Sequence, residues 1–218
     1  MPRRRGGQRE RLIDACVEVV GQRGFEEARI LDICLLAHSS AATFYEIFGT
    51  KEGCVDAVVA SRAAQLLALA KEAFDDTAGP WGTRIQAALG RLLEELSTDE
   101  PLARLLLVEF QHVGPAATER LAVLTEEAKQ LFALPEPSAS PPLPSNGSVV
   151  VGMVLYPIGD YVARGRTHEL PELAPVLAYF LTLFLVGADE ALELARANGG
   201  PPDALPSNGQ PPDGSPLR

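Results

Sequence analysis

Residues 29–48 contain two short apolar segments that are separated by a tight turn. The first covers about residues 29–36 and the second about residues 41–48, and both have the residue spacing typical of helices. Ser40 stands directly before the second segment, where its side chain can accept a hydrogen bond from a backbone N–H near Thr43. The pattern therefore predicts a short helix, a tight turn and a second short helix.

Most of the remaining chain also has helical character. Apolar residues recur at spacings of three and four, as Leu12, Cys16 and Val19 do in a first helix that is expected to end before Gly24. No stretch of useful length shows the alternation that is typical of strands. The sequence therefore predicts an all-α fold. The further helices are expected at about residues 51–74, 83–96, 99–114, 115–132, 149–164 and 173–197.

Three segments have compositions that disfavour regular structure. Residues 1–8 are a basic arm, residues 134–148 are rich in Pro and Ser, and residues 198–218 are rich in Pro, Gly and Asp. Proline lacks a backbone N–H and cannot continue a helix or a central strand. We expect a disordered arm, a Pro/Ser-rich loop and a disordered tail.

Charge is distributed unevenly along the chain, whose formal net charge is −10. Residues 1–11 carry five arginines against one glutamate, whereas all of the net negative charge lies in residues 54–218. A basic arm ahead of an acidic body suits a protein that touches DNA at one end only. The alternative is a solubilising N-terminus that has no partner.

The sequence contains no strong membrane or secretion signal. The N-terminal residues lack the apolar stretch that a signal peptide needs. The most apolar window, residues 177–188, is far shorter than the roughly 20 residues of a spanning helix. We therefore expect a soluble cytoplasmic protein that does not bind membranes.

All three cysteines, Cys16, Cys34 and Cys54, lie in the first quarter of the chain. An odd number in a cytosolic chain argues against a disulfide framework. Each stands in a helical apolar pattern, which predicts small buried hydrophobic side chains. A redox-sensing thiol is the alternative.

The second short helix has the features of a DNA recognition helix. Ala41 and Ala42 leave its first turn nearly bare, which permits close approach to base edges in a major groove. Thr43 and Tyr45 place hydroxyls near the same end, where phosphate oxygens would lie. Lys51 begins the next helix and can supply a cation to the DNA backbone.

This region closely resembles the tetracycline-repressor (TetR) family of regulators. The family signature is matched in register over about residues 10–55, which makes the resemblance specific. The matching positions are Gly24-Phe25, Asp32-Ile33, Thr43-Phe44-Tyr45, Phe48 and Lys51-Glu52. Gly165 and residues 169–173 look like the linker before the last helix in many family members.

Three positions depart from the family pattern. The family usually has Gly-Val at the turn, where this chain has His38-Ser39, and histidine adopts a positive φ only at a cost. Arg29 replaces a Ser or Thr, which keeps a phosphate contact and loses a helix cap. Ile47 removes a further phosphate contact. We expect DNA binding, and the operator sequence does not follow from the resemblance.

The resemblance implies a three-helix DNA-binding domain at residues 9–53 and a larger helical domain for ligand binding and dimerisation at residues 54–197. It also implies a homodimer that represses transcription at a pseudo-palindromic operator until a small-molecule effector releases it. No metal or other cofactor is expected. The expected DNA-binding residues are Arg3, Arg4, Arg5, Arg29, Ser40, Ala41, Ala42, Thr43, Tyr45 and Lys51.

Candidate residues for the other two sites follow from their types and spacing. The last long helix has a broad apolar face that predicts the dimer interface: Leu173, Val176, Leu177, Phe180, Leu181 and Phe184. Aromatic and polar residues in the middle of the domain are the candidates for the ligand pocket: Trp81, Glu109, Phe110, His112, Met153 and Tyr156.

Two other classes of protein share features with this sequence. Glu109 and His112 have the Glu-x-x-His spacing of helical di-iron enzymes, but that site needs a second such pair, which the other histidines do not provide. Phosphate-binding loops and nucleophile elbows are also missing from the sequence, so we do not expect an enzyme. A helical protein-interaction module that does not bind DNA specifically remains the alternative.

Overall fold

A computed structural model of the protein describes residues 7–132 and 147–199. These ranges form ten α-helices and two 3-10 helices without a strand, so the predicted all-α fold is confirmed for them. Residues 1–6, 133–146 and 200–218, which include most of the predicted arm, loop and tail, lie outside the described residues. The α-helices are α1 (Gln8–Arg23), α2 (Ile30–Leu36), α3 (Ala41–Phe48), α4 (Lys51–Asp76), α5 (Trp81–Ser97), α6 (Glu100–Leu107), α7 (Pro115–Leu131), α8 (Gly147–Ala163), α9 (Ala174–Leu185) and α10 (Ala188–Ala197).

Helices α1 to α3 form a small N-terminal domain around their own core. Leu12, Ile13, Ile33 and Phe44 are fully buried there, together with side chains from the start of α4. The axes of α2 and α3 differ in direction by 107°. Two helices joined by a short turn at about this angle are a helix-turn-helix unit.

The ends of these helices follow local sequence signals. Ser40 Oγ accepts a hydrogen bond from the backbone N–H of Thr43 at 3.1 Å, as its position predicts for an N-cap. Thr50 caps α4 in the same way, since its hydroxyl accepts from the N–H of Gly53 at 3.0 Å. His38, in the turn between α2 and α3, has a φ of 50° and is the one non-glycine residue with a positive φ in the described chain. The positive φ that was expected at this turn is therefore confirmed.

Helix α4 joins the two halves of the molecule. Cys54, Val55 and the following turns pack in the N-terminal core, whereas Leu66, Ala70 and Phe74 pack in a second core. The boundary that was predicted at residue 54 therefore falls inside one continuous helix. Its length and hydropathy alone would allow α4 to cross a membrane, and 33% of the relevant window is buried within the protein. Its buried side chains serve both cores, as expected of the central helix of a helical protein.

The second domain surrounds α5, which packs against α4 and α9. Leu93 of α5 is fully buried with Val162 of α8. A hydrogen bond joins α10 to the start of α5. The backbone N–H of Gly82 donates it to the Glu190 carboxylate at 2.8 Å.

Two predicted helices are interrupted. The helix expected at residues 173–197 is divided at Gly187, whose φ of 134° is incompatible with a continuing helix. The helix expected to reach Gly114 ends at Leu107 and is followed by a 3-10 helix over Glu109–His112. This local change places the Glu109 side chain against the N-terminal domain.

All three cysteines are buried and free, which agrees with the prediction of small core side chains. Cys16 of α1 lies against Cys54 of α4. A hydrogen bond to Cys54 and burial raise the pKa of the Cys16 thiol well above its usual range. The neutral thiol is therefore favoured at this position, which makes it a poor nucleophile.

Candidate functional site

The outer face of α3 lies open to solvent. Phe44 anchors the inner face and is fully buried, whereas Ala42, Tyr45 and Glu46 are exposed. Ser40 is exposed at the start of the helix, and Thr43 is half-buried beside it, with the two hydroxyl oxygens 2.9 Å apart. The first turn of α3, with its small side chains, is therefore accessible to a large partner such as a duplex.

Lys51 has a different environment from the one that its sequence position suggested. Its Nζ donates to the carbonyl oxygens of Phe25 at 2.6 Å and Ala28 at 3.1 Å, and it lies 4.3 Å from the centre of the Phe25 ring. An ammonium group has three donors, so two are already used within the protein. Lys51 therefore joins α4 to the connection between α1 and α2, and at most one of its donors remains for a phosphate.

Two positions that depart from the family pattern, Arg29 and Ile47, lie in the same domain. Arg29 is exposed at the N-cap of α2, and its side chain makes no capping hydrogen bond. Ile47 packs against the N-terminal core. Arg3, Arg4 and Arg5 lie outside the described residues.

The C-terminal domain contains a cavity of about 240 Å³ between α4, α5, α6, α7 and α8. Among the described side chains that line the cavity, Thr125 carries the single polar group. The other walls are aliphatic or aromatic, with Leu66, Leu89, Leu92, Leu124, Phe132 and Val154 among them. Such a cavity favours an apolar ligand.

Most of the residues that were predicted to bind a ligand do not line this cavity. Phe110 lines the cavity, and Trp81 supports it indirectly, since its Nε1 donates to the backbone oxygen of the wall residue Phe132 at 3.1 Å. His112 and Tyr156 are exposed. Met153 is half-buried and does not belong to the walls, and Glu109 points toward the N-terminal domain. The leucines of α5 and α7 that line the cavity were not predicted from sequence, because they look like ordinary core positions.

Glu109 connects the cavity region to the DNA-binding domain. Its carboxylate is buried and accepts hydrogen bonds from the backbone N–H of Phe25 at 2.8 Å and from Arg104 at 3.2 Å. Phe110, the next residue, lines the cavity. Two neighbouring residues of the 3-10 helix therefore contact the cavity and the connection between α1 and α2.

Helix α7 makes a second connection of this kind. Arg120 donates two hydrogen bonds to Asp56 of α4, at 2.8 and 2.7 Å. The next residue on α7, Leu121, lines the cavity. A paired, two-bond contact of this geometry is among the stronger polar links between helices.

A larger groove of about 970 Å³ is lined by residues of α1, α4, α5 and α6. Charged side chains line it, and Arg62 bridges it by pairing with Glu10 at 2.8 Å and Asp14 at 2.5 Å. Several charged side chains line this groove, so the smaller cavity, whose walls are almost entirely apolar, is the better candidate for a ligand site.

The predicted dimer face is divided between the interior and the surface. Leu173, Leu177 and Leu181 are buried in the subunit's own core. Val176 and Phe180, which are one helical turn apart, are 44% and 49% exposed. Phe184 is half-buried. One face of α9 therefore belongs to the core, and the opposite face remains open for a partner.

Together, the fold and the open face of α3 define a helix-turn-helix protein with a second, larger helical domain. Residues 12–58 match the family described as bacterial regulatory proteins of the tetR family. The predicted resemblance to this family is therefore confirmed over these residues. Residues 1–11 and the whole C-terminal domain beyond residue 58 lie outside this match.

A curated relative shows the same extent of similarity. The chain is 33% identical over 58 residues to an uncharacterised HTH-type transcriptional regulator, YvdT, from Bacillus subtilis strain 168. The alignment covers 27% of this chain and 30% of that protein. The sequence similarity is therefore limited to a region of the size of the DNA-binding domain.

Solved structures share the fold over most of the chain. The fatty acid degradation regulator FadR from Bacillus halodurans has a TM-score of 0.65 and 16% identity, and the match covers 82% of this chain and 96% of that one. FadR from Bacillus subtilis, solved in complex with stearoyl-CoA, has a TM-score of 0.60 and 17% identity, with 82% and 98% covered. At this identity the likeness shows a common fold.

Proposed function

We propose that this chain is a dimeric transcriptional regulator that binds a pseudo-palindromic operator through α3 and is released by an effector with a long apolar chain. The observation that carries the proposal is the open first turn of α3 within a TetR-type domain. The small, exposed side chain of Ala42 leaves room for base edges, whereas Ala41 packs partly against the core of the domain. Ser40, Thr43 and Tyr45 supply hydroxyls for the DNA backbone.

Selection of bound duplexes from a random-sequence pool tests operator binding. We expect enrichment of two half-sites in inverted orientation, about 10 base pairs or a multiple of that distance apart. The affinity for the selected duplex should fall as salt rises, with a slope of about −0.9 for each neutralised phosphate. A helical interaction module without specific DNA binding would enrich no sequence, and that result would reject the proposal.

Two observations support an effector with an apolar chain. The cavity walls among the described residues are apolar except for Thr125. One structural neighbour, FadR from Bacillus subtilis, was solved in complex with stearoyl-CoA. A charged head group would find no partner among those walls, so we expect it to remain near the cavity mouth, with the acyl chain inside.

A homologous series of fatty acids and their CoA thioesters tests the effector class. Each additional buried CH₂ contributes about 0.8 kcal/mol, so affinity should rise about 4-fold per carbon until the cavity is full. Binding should also reduce affinity for the selected operator. Equal affinity for short and long chains would contradict an acyl ligand and would leave operator binding intact.

The exposed face of α9 supports dimerisation. Val176 and Phe180 form an apolar strip on the surface of one subunit, and such strips mark interaction sites more often than isolated exposed residues do. A dimer also explains two inverted half-sites, because the two-fold axis of the protein would coincide with that of the operator.

A further inference from the structure

Glu46 occupies the centre of the exposed face of α3. An α-helix turns about 100° per residue, so Glu46 points about 200° away from the fully buried Phe44. Ala42 lies one turn earlier on the same face, and both residues are exposed. If the bare first turn around Ala42 enters a major groove, the carboxylate of Glu46 lies next to it.

No role within the subunit explains this carboxylate. Among the described residues Glu46 has no hydrogen-bond or ion-pair partner. It also stands in the last turn of α3, which ends at Phe48. Acidic groups at a helix C-terminus oppose the helix dipole and reduce helix stability. The residue is therefore unfavourable for the helix that carries it.

On DNA, the same carboxylate would be repelled by phosphates and by most base edges. In the major groove, guanine presents two acceptors, thymine presents one, and adenine presents an acceptor next to its donor. Cytosine presents its N4 amino group as a donor without an acceptor of its own. A carboxylate is an acceptor, so cytosine is the base that best compensates its desolvation.

From this placement we infer that Glu46 determines specificity by accepting a hydrogen bond from the N4 amino group of one cytosine in each half-site. The inference rests on the proposed operator binding and extends it to one residue and one base. Glu46 selects against the other bases by repulsion as much as it selects cytosine by attraction. It neutralises no phosphate, so it contributes to sequence preference without contributing to the salt dependence of binding.

Duplex selection with the full-length protein and its variants tests this role. The wild type should enrich sites with a symmetric cytosine at one position. Glu46→Gln should replace that cytosine by adenine, because glutamine pairs with the N6 and N7 groups of adenine, and should leave the other positions unchanged. Glu46→Ala should bind with any base at that position.

Binding measurements on the selected duplex add a quantitative test. Replacing the cytosine in one half-site should weaken wild-type binding by roughly 5- to 100-fold and should weaken Glu46→Ala much less. The slope of log affinity against log salt should be the same for both proteins. Glu27→Gln, at an exposed position in the connection between α1 and α2, is the matched control for losing one negative charge and should keep the wild-type preference.

The possible failures are distinguishable. If both Glu46 variants enrich the wild-type sequence, Glu46 does not specify a base, and operator binding itself still stands. If Glu27→Gln changes the preference as Glu46→Gln does, the effect is one of general charge and the inference is rejected. If the wild type enriches no sequence, the proposed function fails and this inference fails with it.

Discussion

The carboxylate of Glu109 accepts a hydrogen bond from the backbone N–H of Phe25 at 2.8 Å, across 84 residues of chain. Glu109 follows the end of α6, and Phe25 lies just after α1. The Phe25 carbonyl in turn accepts from Lys51 at the start of α4. Phe25 of the N-terminal domain is therefore held on one side by Glu109 of the C-terminal domain and on the other by Lys51 of the helix that follows α3.

Removing the Glu109 carboxylate should destabilise the protein. In Glu109→Ala the buried N–H of Phe25 loses its acceptor, which costs about 1–3 kcal/mol and should lower the thermal midpoint. Glu109→Gln retains an acceptor and should lose less. Glu119→Ala, at an exposed position on α7, is the control. Equal midpoints for Glu109→Ala and Glu119→Ala would show that this contact contributes nothing.

Lys51→Met should reduce the stability of the protein as well as its affinity for DNA. The substitution leaves the carbonyls of Phe25 and Ala28 without their charged donor, and hydrogen bonds to charged groups contribute about 1.5–3 kcal/mol each. Urea unfolding measures the loss. Lys71→Met breaks an ion pair with Asp75 on the surface of α4 and should change stability by less than about 0.5 kcal/mol. If Lys51→Met abolishes DNA binding and leaves stability unchanged, the main role of Lys51 is instead to contact a DNA phosphate.

His38→Gly should stabilise the turn of the helix-turn-helix. The left-handed conformation of His38 costs a non-glycine residue about 1–2 kcal/mol, part of which is offset by the greater entropy of glycine in the unfolded chain. We expect a net gain of about 0.5–1 kcal/mol in the free energy of unfolding. Ser39→Gly has no such strain to relieve and should destabilise. If both variants lose stability, another contact of His38 must outweigh the strain.

Phe180→Asp should produce a folded monomer. The Phe180 side chain is 49% exposed on α9, so the charge does not disturb the core but would be desolvated in a dimer. Sedimentation velocity measures the mass, and circular dichroism measures the helix content. The buried neighbour Leu177 is the contrasting position, and Leu177→Asp should unfold the domain. A Phe180→Asp protein that stays dimeric would place the interface elsewhere.

Ala128→Phe should block long effector chains by filling the cavity. Ala128 lines the cavity from α7, and a phenyl ring there occupies space that the chain needs. We expect loss of the chain-length dependence of binding, measured by titration with the fatty acid series, with operator binding retained. Ala122→Phe, on the exposed side of the same helix, is the control and should bind as the wild type does. If Ala128→Phe binds the fatty acids with unchanged affinity, the ligand must bind at another site.

The local features of the DNA-binding domain were predictable from sequence. The Ser40 cap, the positive φ of His38 and the short helices around them depend on residues within a few positions of one another. The bare first turn of α3 also follows from the composition of Ala41 and Ala42. Glu46 was not among the residues predicted from sequence, although the 100° rotation per residue places it opposite Phe44 once the buried face is known.

The contacts between domains were not predictable in this way. The sequence alone determined that the chain is helical, where most helices begin and end, and which segment resembles a DNA-binding unit, because hydrogen bonds within a helix join residues three or four positions apart. The tertiary structure decided that Glu109 meets Phe25, that Lys51 turns inward and that leucines of α5 and α7 share a cavity. These relationships join residues far apart in sequence, and they depend on how whole helices pack.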